Sequence, residues 1–137
     1  MSMLNLIQHL KDQKATKIVH YSDGDEIEFF NENNFSVYYE DENSFWEKRE
    51  YDSNGNETYY ETSKGFWIKR EYDSKGNITY TERSQGFWEK NEYDSNSMQT
   101  YFENSRGEKS GTSKDEVKEL TVAQLEELLG CKVKVVK

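Results

Sequence analysis

The sequence FWIKREYDSKGN at residues 66–77 nearly repeats FWEKREYDSNGN at residues 45–56, and this repetition decides the fold. Three consecutive units of equal length begin at Phe45, Phe66 and Phe87 without a gap. A weaker copy begins at Gly24, so that the array has about four units. Repetition this strict indicates a structural unit that is used several times rather than a single active site.

Each unit has the pattern of a β-hairpin. In the run from Phe45 to Tyr51, alternate residues share a face, as in a strand: one face carries Phe45, Glu47, Arg49 and Tyr51, and the other carries Trp46, Lys48 and Glu50. The segment DSNGN then predicts a turn, because Gly55 adopts a positive φ without steric cost. We therefore predict a mainly β fold, an antiparallel meander of 21-residue β-hairpin repeats with a short helix at each end. Aromatic residues on both faces predict a thinly covered sheet held by side-chain ladders.

The two ends of the chain predict helices. Apolar residues at helical spacing start the chain, and Thr121 with Gln124 forms a capping-box pattern before a helix that Gly130 ends. The last segment, CKVKVVK, alternates valine with lysine and predicts a closing strand. We expect one domain over residues 1–137, with a helix in 1–14, the repeat sheet in 17–107, and a helix plus a strand in 115–137. The helices are expected to cap the ends of the sheet or to cover one face.

Residues for enzyme or metal chemistry do not form recognisable motifs. The sequence offers no nucleophile beside a base and no glycine-rich anion loop. His9, His20 and Cys131 lack the spacing of a zinc site, and DSNGN places its glycine fourth, whereas an EF-hand loop has glycine sixth. We therefore predict a non-enzymatic protein without a cofactor or a metal.

The single cysteine, Cys131, cannot form a disulfide within the chain, which indicates a reducing compartment. No apolar run approaches the roughly 20 residues that cross a bilayer as a helix. These features predict a soluble cytoplasmic protein without membrane association.

The pattern Tyr-Asp-x-x-Gly-Asn-x-Thr, at residues 51–58 and 72–79, resembles the YD repeat of Rhs-type proteins. It is also similar to the MORN-like hairpin repeats of small bacterial proteins. The third unit departs from the pattern, since Ser97 and Met98 replace the Gly-Asn pair. Both resemblances imply antiparallel hairpin arrays. Arrays of this kind also resemble proteins of bacteriophages and mobile elements, which implies the cytoplasm of a bacterial host cell.

Negative charge is concentrated in one part of the chain. The net charge is −9, and residues 18–47 contain nine carboxylates and neither lysine nor arginine. These carboxylates belong to Asp23, Asp25, Glu26, Glu28, Glu32, Glu40, Asp41, Glu42 and Glu47. Such a segment either keeps an aromatic-rich protein in solution or attracts a basic surface, such as the channel of a nucleic-acid enzyme. Trp46, Trp67 and Trp88, with Phe45, are candidate interface anchors or ladder residues of the sheet.

The leading hypothesis is an acidic interaction protein, a phage-type inhibitor of a host nucleic-acid-binding defence enzyme. It would act like an anti-CRISPR, by blocking a basic nucleic-acid channel. The alternative is a structural or scaffolding repeat protein, or a binding module of the antitoxin or immunity type. Direct binding of nucleic acid would use the aromatic ladders for base stacking, helped by Lys48, Arg49, Lys69, Arg70 and Lys90. It is disfavoured by the overall negative charge and by the glutamates beside these bases, which indicate cross-strand ion pairs. The sequence leaves open a monomer or a homodimer paired through sheet edges.

Overall fold

Ten strands and two helices make up the described part of the chain. The structure, a computed structural model, describes residues 1–22, 24–115 and 121–134. The helices are α1 (Met3–Asp12) and α2 (Val122–Leu129). The strands are β1 (Ala15–Tyr21), β2 (Glu26–Asn31), β3 (Ser36–Glu40), β4 (Trp46–Tyr51), β5 (Glu57–Thr62), β6 (Trp67–Tyr72), β7 (Ile78–Arg83), β8 (Trp88–Tyr93), β9 (Gln99–Asn104) and β10 (Lys109–Gly111).

All ten strands form one antiparallel sheet in the order in which they occur in the sequence. The predicted fold class is confirmed: the protein is mainly β, a meander with a helix at each end. The sheet runs from residue 15 to residue 111, a few residues beyond the expected range of 17–107 at both ends.

The turns from β2 to β10 share one geometry. In each five-residue turn, the first N–H donates to the fifth carbonyl, and the fourth N–H donates to the first carbonyl. The fourth residue has a positive φ, which Gly55 adopts at 82° and Ser97, in the unit that departs from the pattern, at 62°. The turns occupy residues 31–35, 41–45, 52–56, 62–66, 73–77, 83–87, 94–98 and 104–108. The spacing between the starts of successive turns therefore alternates between an even and an odd number of positions.

A β-bulge beside every second turn explains this alternation. In the hairpin of β4 and β5, Glu50 pairs with Tyr59 and Tyr51 pairs with Glu57, which leaves Thr58 as an extra residue. The equivalent extra residues in the other units are Val37, Thr79 and Thr100. Successive side chains of a strand alternate between the two faces. If a repeat unit had an odd number of residues and no bulge, each residue and its equivalent in the next unit would therefore lie on opposite faces. One extra residue per unit restores the face.

The bulge gives the sheet two constant faces. The tryptophan face carries Trp46, Trp67 and Trp88 together with the Lys48 and Glu50 series, and the phenylalanine face carries Phe45, Phe66 and Phe87 together with the Tyr51 series. Among the described residues, the buried apolar side chains are Val37, Tyr38, Ile68 and Tyr101. The accessible surface is 9690 Å², whereas a globular chain of this mass exposes about 7,500 Å². The sheet is therefore a thin single layer, as its aromatic pattern predicts.

Two repeated side chains connect neighbouring hairpins. The hydroxyls of Tyr51, Tyr72 and Tyr93 donate to Ser36 O, Glu57 O and Ile78 O at 2.9, 2.7 and 2.9 Å, each next to a bulge residue. Ser63, Ser84 and Ser105 each bind the backbone of the tryptophan 17 residues earlier through both N–H and Oγ. The letters that recur in the sequence are therefore those that close one hairpin onto the next.

Helix α1 lies across the tryptophan face of the first strands. Ser2 caps its first turn, and the imidazole of His9 is its buried side chain. His9 Nε2 lies 2.8 Å from Val37 O, so this nitrogen carries the proton and donates to a carbonyl of β3. At the end of the helix, Gln13 Oε1 accepts from Tyr51 N at 3.0 Å. The helix covers part of one face, which is one of the two expected arrangements.

The carboxyl-terminal segment differs from the prediction. Thr121 and Gln124 form the expected capping box, and Gly130 ends α2 in the left-handed region. The expected strand after Gly130 is wrong for residues 131–134, which have no strand structure, and residues 135–137 lie outside the described chain. Glu126 is the physical reason, because its carboxylate accepts from Val133 N at 3.2 Å and from Lys132 Nζ at 3.3 Å. These bonds turn the segment back along α2 instead of extending it beside the sheet.

Candidate partner-binding surface

Carboxylates from two neighbouring hairpins meet at one corner of the sheet. Ile27 of β2 pairs with Glu40 of β3, which brings the turn before β2 close to the turn after β3. A methyl group added to Gly24 would lie 3.6 Å from Glu42 Oε2, so the Glu42 carboxylate lies against the first of these turns. We call this surface the acidic corner. It consists of Asp25, Glu26, Glu28, Glu40, Asp41 and Glu42.

These six carboxylates have no lysine or arginine partner within 4.0 Å in the part of the chain that the structure describes. The other predicted acidic residues behave differently. Glu32 forms an exposed ion pair with Lys14 at 3.5 Å, and Glu47 pairs with Arg49 on the phenylalanine face. Asp23 lies outside the described residues. The structure thus gathers six of the nine predicted carboxylates at one corner of the sheet, with Glu26 and Glu28 on the phenylalanine face and Glu40 on the tryptophan face.

Tyrosine hydroxyls hold several carboxylates of the corner in place. Tyr21 donates to Glu28 and Tyr38 donates to Glu40, each at 2.7 Å. The hydrogen bond to Glu28 raises the pKa of Tyr21, and burial followed by the bond to Glu40 raises that of Tyr38. Because a tyrosine that donates to a carboxylate is neutral, these bonds orient the negative charge without cancelling it.

Three basic residues of the first repeats, by contrast, have acidic partners inside the sheet. The Glu57 carboxylate lies 3.7 Å from Arg49 Nε and 2.5 Å from Arg70 Nη1, and it therefore joins two hairpins. Lys48 lies 3.4 Å from Glu50 and 4.0 Å from Glu61 on the other face. The interpretation of the repeat bases as cross-strand ion-pair partners is confirmed for Lys48, Arg49 and Arg70. It is wrong for Lys90, which pairs with Asp115 beyond the sheet at 3.7 Å, and for Lys69, which lies 6.0 Å from the ring centroid of Trp67 and has no carboxylate within 4.0 Å in the described chain. Charge is therefore polarised along the sheet as well as along the sequence.

The three tryptophans form a row on the tryptophan face. Each is half-buried, and Trp46 stacks on Tyr38 with ring centroids 6.3 Å apart. Trp46 pairs with Glu40 and so borders the acidic corner. Trp67 and Trp88 lie two and four strands farther on, about 10 and 19 Å away at the usual strand spacing. Only Trp46 of the three is placed where a partner on the acidic corner would touch it.

Phe45, on the opposite face, lies under a cation. Lys64 Nζ is 5.4 Å from its ring centroid, and the guanidinium groups of Arg83 and Arg106 lie at 5.5 and 5.3 Å from the ring of Phe87. These three bases lie in turns at the same end of the strands as the turn that contains Asp41 and Glu42. These turns therefore change from acidic at residues 41–45 to basic at residues 62–66 and 83–87, whereas Arg106 in the last turn is balanced by Glu108.

His9 is a site residue that the sequence did not reveal. It is buried, its Nδ1 lies 3.8 Å from Glu50 Oε1, and burial lowers its pKa below the usual value. Beside it, a cavity of about 500 Å³ opens between α1 and the tryptophan face. The sequence contained only a weak signal for the burial of His9. The apolar residues of α1 suggested that its leucines and Ile7 would be buried, whereas Ile7 is exposed.

Metal-binding clusters are not present among the described residues, where no group of three or more His, Cys, Asp or Glu side chains is arranged to hold an ion. Cys131 is exposed and unpaired with another cysteine. None of the helices in residues 1–22, 24–115 and 121–134 is long and apolar enough to span a membrane.

No protein-family model matches the chain, and no curated protein matches it in sequence. The resemblance to YD and MORN-like repeats therefore remains an expectation based on the repeated residues, such as Tyr72, Asp73 and Gly76. The function has to be argued from the surface itself.

Proposed function

We propose that this protein is a non-enzymatic interaction module that binds a basic surface of a partner protein through its acidic corner. The observation that carries the proposal is the set of six clustered carboxylates, which have no cationic partner among the described residues. In the hairpin of β4 and β5, by contrast, Glu47, Glu50, Glu57 and Glu61 each have an arginine or lysine partner within 4.0 Å. Charge without an internal partner is available to a second molecule.

The arrangement suits fast and specific docking. The corner is built on paired strands and hydrogen-bonded turns, and Asp41 Oδ1 accepts from Asn43 N and Phe45 N at 2.9 Å. A rigid group of like charges loses little conformational freedom on binding. Its field attracts a basic partner over about 10 Å at moderate salt, which raises the association rate. Trp46 at the border of the corner supplies an aromatic contact.

The partner class that fits this surface is a protein with a basic groove, such as a nucleic-acid-processing enzyme. A group of carboxylates at the corner of the sheet presents charge of the same sign as a phosphate backbone. Binding in the groove would exclude nucleic acid by occlusion. We further propose, on the style of the repeats, that the protein is a phage-type inhibitor of a bacterial defence enzyme, comparable to an anti-CRISPR.

The test compares two charge variants of equal net charge. The corner variant carries Glu26→Gln, Glu28→Gln, Asp41→Asn and Glu42→Gln. The control variant carries Glu71→Gln, Glu89→Gln, Glu108→Gln and Glu127→Gln, which remove as many charges elsewhere. Asn at position 41 retains an oxygen that accepts the two turn N–H groups.

Each protein is immobilised and incubated with a bacterial lysate at about 0.05 M and 0.5 M salt. We expect wild type and the control variant to retain nucleic-acid enzymes at low salt, and the corner variant to lose them. The retained enzyme should then show weaker binding of its nucleic acid when the protein is added. Equal retention by both variants, or binding that ignores salt, would disprove the proposal.

A scaffolding role is the second candidate, and one observation favours it. Several polar groups bond within the sheet and connect neighbouring hairpins, which stiffens the sheet. They are the hydroxyls of Tyr51, Tyr72 and Tyr93 and the paired charges of the repeats. A scaffold or an immunity-type module would bind its partner through other surfaces. It would retain the same proteins from the lysate whether or not the acidic corner is neutralised.

A further inference from the structure

The two edges of the sheet are unequal. Strand β10 has three residues and β1 has seven, and β1 has a neighbouring strand only on its β2 side in the described sheet. An edge strand presents backbone N–H and C=O groups that can pair with another strand. Strand β1 is therefore long enough to accept an extended segment.

The side of this edge that belongs to the tryptophan face is largely apolar. Ile7 and Leu10 of α1, Ile18 of β1 and Phe29 of β2 line a groove of about 340 Å³ beside the edge, together with Lys11 and Lys17. Ile18 is 58% exposed and Ile7 is 42% exposed. Since α1 forms the far wall, a side chain that projects from an added strand would enter between the helix and the sheet.

The other side of the same edge is acidic. Val19 and Tyr21 lie on the phenylalanine face, where Val19 pairs with Glu28 and Tyr21 pairs with Glu26. The hydroxyl of Tyr21 donates to Glu28, which keeps this carboxylate at the surface. Lys17 lies at the opposite end of β1, 4.9 Å from the ring of Phe30. The acidic side therefore follows the second half of β1.

Successive residues of a strand point to opposite faces. A segment that pairs with β1 must therefore place alternate side chains on the tryptophan face, where those along residues 15–18 meet the groove, and the others beside Val19 and Tyr21. From there a lysine extends toward Glu26 and Glu28, which lie two strand spacings, or about 10 Å, away. We propose that β1 binds an extended segment of the partner in which valine-like side chains alternate with lysine. This inference rests on the proposed function, because it names the part of the basic partner that the acidic corner receives.

A second occupant with similar chemistry exists in this chain. Residues 131–137, CKVKVVK, also alternate valine with lysine, although Lys132 and Val133 are bonded to Glu126 in the structure. A tail from the same chain or from a second copy would compete with the partner. A variant that ends at Gly130 separates these cases.

The probe is a fluorescent seven-residue peptide in which valine and lysine alternate, titrated against the whole protein by anisotropy. A peptide with the same composition in two blocks and a peptide that alternates valine with glutamate are the sequence controls. Methylation of every second peptide nitrogen, in each of the two registers, tests the backbone pairing. We expect binding only of the alternating basic peptide, and loss of binding in one methylated register but not in the other.

Two protein variants test the groove. Ile18→Gln and Ile7→Gln should each weaken the affinity for the peptide roughly tenfold, the usual effect of losing one buried aliphatic contact. Leu128→Gln is the matched control, because Leu128 is 71% exposed on α2, and it should leave the affinity unchanged. Circular dichroism checks that all three variants fold.

Four results would overturn the inference: equal binding of the block peptide, equal binding by the Ile18→Gln variant, survival of binding in both methylated registers, or binding that appears only after truncation at Gly130. The last result would assign the groove to the chain's own tail. If the groove variants bind the partner normally while the corner variant does not, the proposed function stands and strand pairing fails. If the corner variant binds the partner normally, the proposed function fails.

Discussion

Strands β1 to β3 and the repeats from β4 to β9 share the same turns and the same bulge, yet they differ in whether a cation meets their carboxylates. From β4 to β6, the cations of Arg49 and Arg70 meet Glu57 across neighbouring strands. In the first strands, Glu26, Glu28 and Glu40 meet tyrosine hydroxyls, as repeat glutamates also do, but they have no cation partner among the described residues. The comparison separates the positions that build a hairpin from the positions that a hairpin leaves free. Charge at the free positions can be used for binding, because the fold does not depend on it.

The largest effect is expected where the fold does depend on one residue. Deletion of Lys69 from β6 would move Arg70, Glu71 and Tyr72 to the opposite face, because the pairing of β5 with β6 has no bulge that could absorb the change. We expect a loss of at least about 4 kcal/mol, or failure to fold, since these side chains would be placed in the wrong environment. Urea unfolding followed by circular dichroism measures the loss.

Deletion of Thr79 is the control for the Lys69 deletion. It removes the extra residue of the bulge from an odd-numbered unit, so β7 pairs regularly with β6 and both faces are preserved. This variant should fold with one cooperative transition. If removal of Lys69 proved no more harmful than removal of Thr79, the role of the bulge would be wrong.

A smaller effect is expected from the tyrosines that connect hairpins. Tyr72→Phe removes the hydroxyl that donates to Glu57 O at 2.7 Å and leaves this carbonyl without its partner. The cost should be about 1 kcal/mol in the free energy of unfolding. The first unit has Phe30 at the equivalent position and lacks this bond, so the effect is confined to the repeats.

Tyr93→Phe is the matched variant for Tyr72→Phe. The Tyr93 hydroxyl likewise donates to a carbonyl, Ile78 O at 2.9 Å, but this bond is exposed. Water replaces the hydroxyl in the variant, so the loss in the free energy of unfolding should be smaller than for Tyr72→Phe. Equal urea midpoints for wild type and the Tyr72 variant would show that the hydroxyl contributes nothing.

The smallest expected effect is a dependence of stability on pH that is confined to α1 and the first strands. Burial lowers the pKa of His9, the neighbouring Lys48 lowers it further, and Val37 O, Glu50 and Asp12 partly offset this. Because the folded pKa lies below the unfolded value of 6.5, stability is complete above that value and declines as pH falls through the folded pKa. The docking of α1 should therefore weaken at mildly acidic pH, while the repeats stay intact.

Amide hydrogen exchange at pH 7.5 and pH 5.5 measures this difference region by region. The His9→Gln variant should lose the pH dependence, since glutamine does not titrate. His20→Gln is the control, because His20 is exposed on β1 and should change little. Uniform acceleration across all ten strands would contradict a local effect.

Much of the fold could be predicted from the repeated residues, whereas the positions outside the repeat could not. Alternation over residues 45–51 gave the two faces, and Gly55 gave the turn, because each depends on neighbours within a few residues. The strand expected after Gly130 failed because Glu126 offers nearer hydrogen-bond partners, and alternation alone does not show which partner a segment meets. The burial of His9 depends on where α1 lies, which involves residues 28 positions away.

The sequence by itself determined a meander of hairpins and the location of negative charge along the chain. A repeat with an odd number of residues even required a change of face in each unit. Only the tertiary structure decided that Val37, Thr58, Thr79 and Thr100 make this change, and that six of the carboxylates meet at one corner without a cation from the described chain. The physical reason is range: alternation and turn chemistry act between neighbours, whereas the position of a bulge and the neutralisation of a charge depend on residues that only folding brings together.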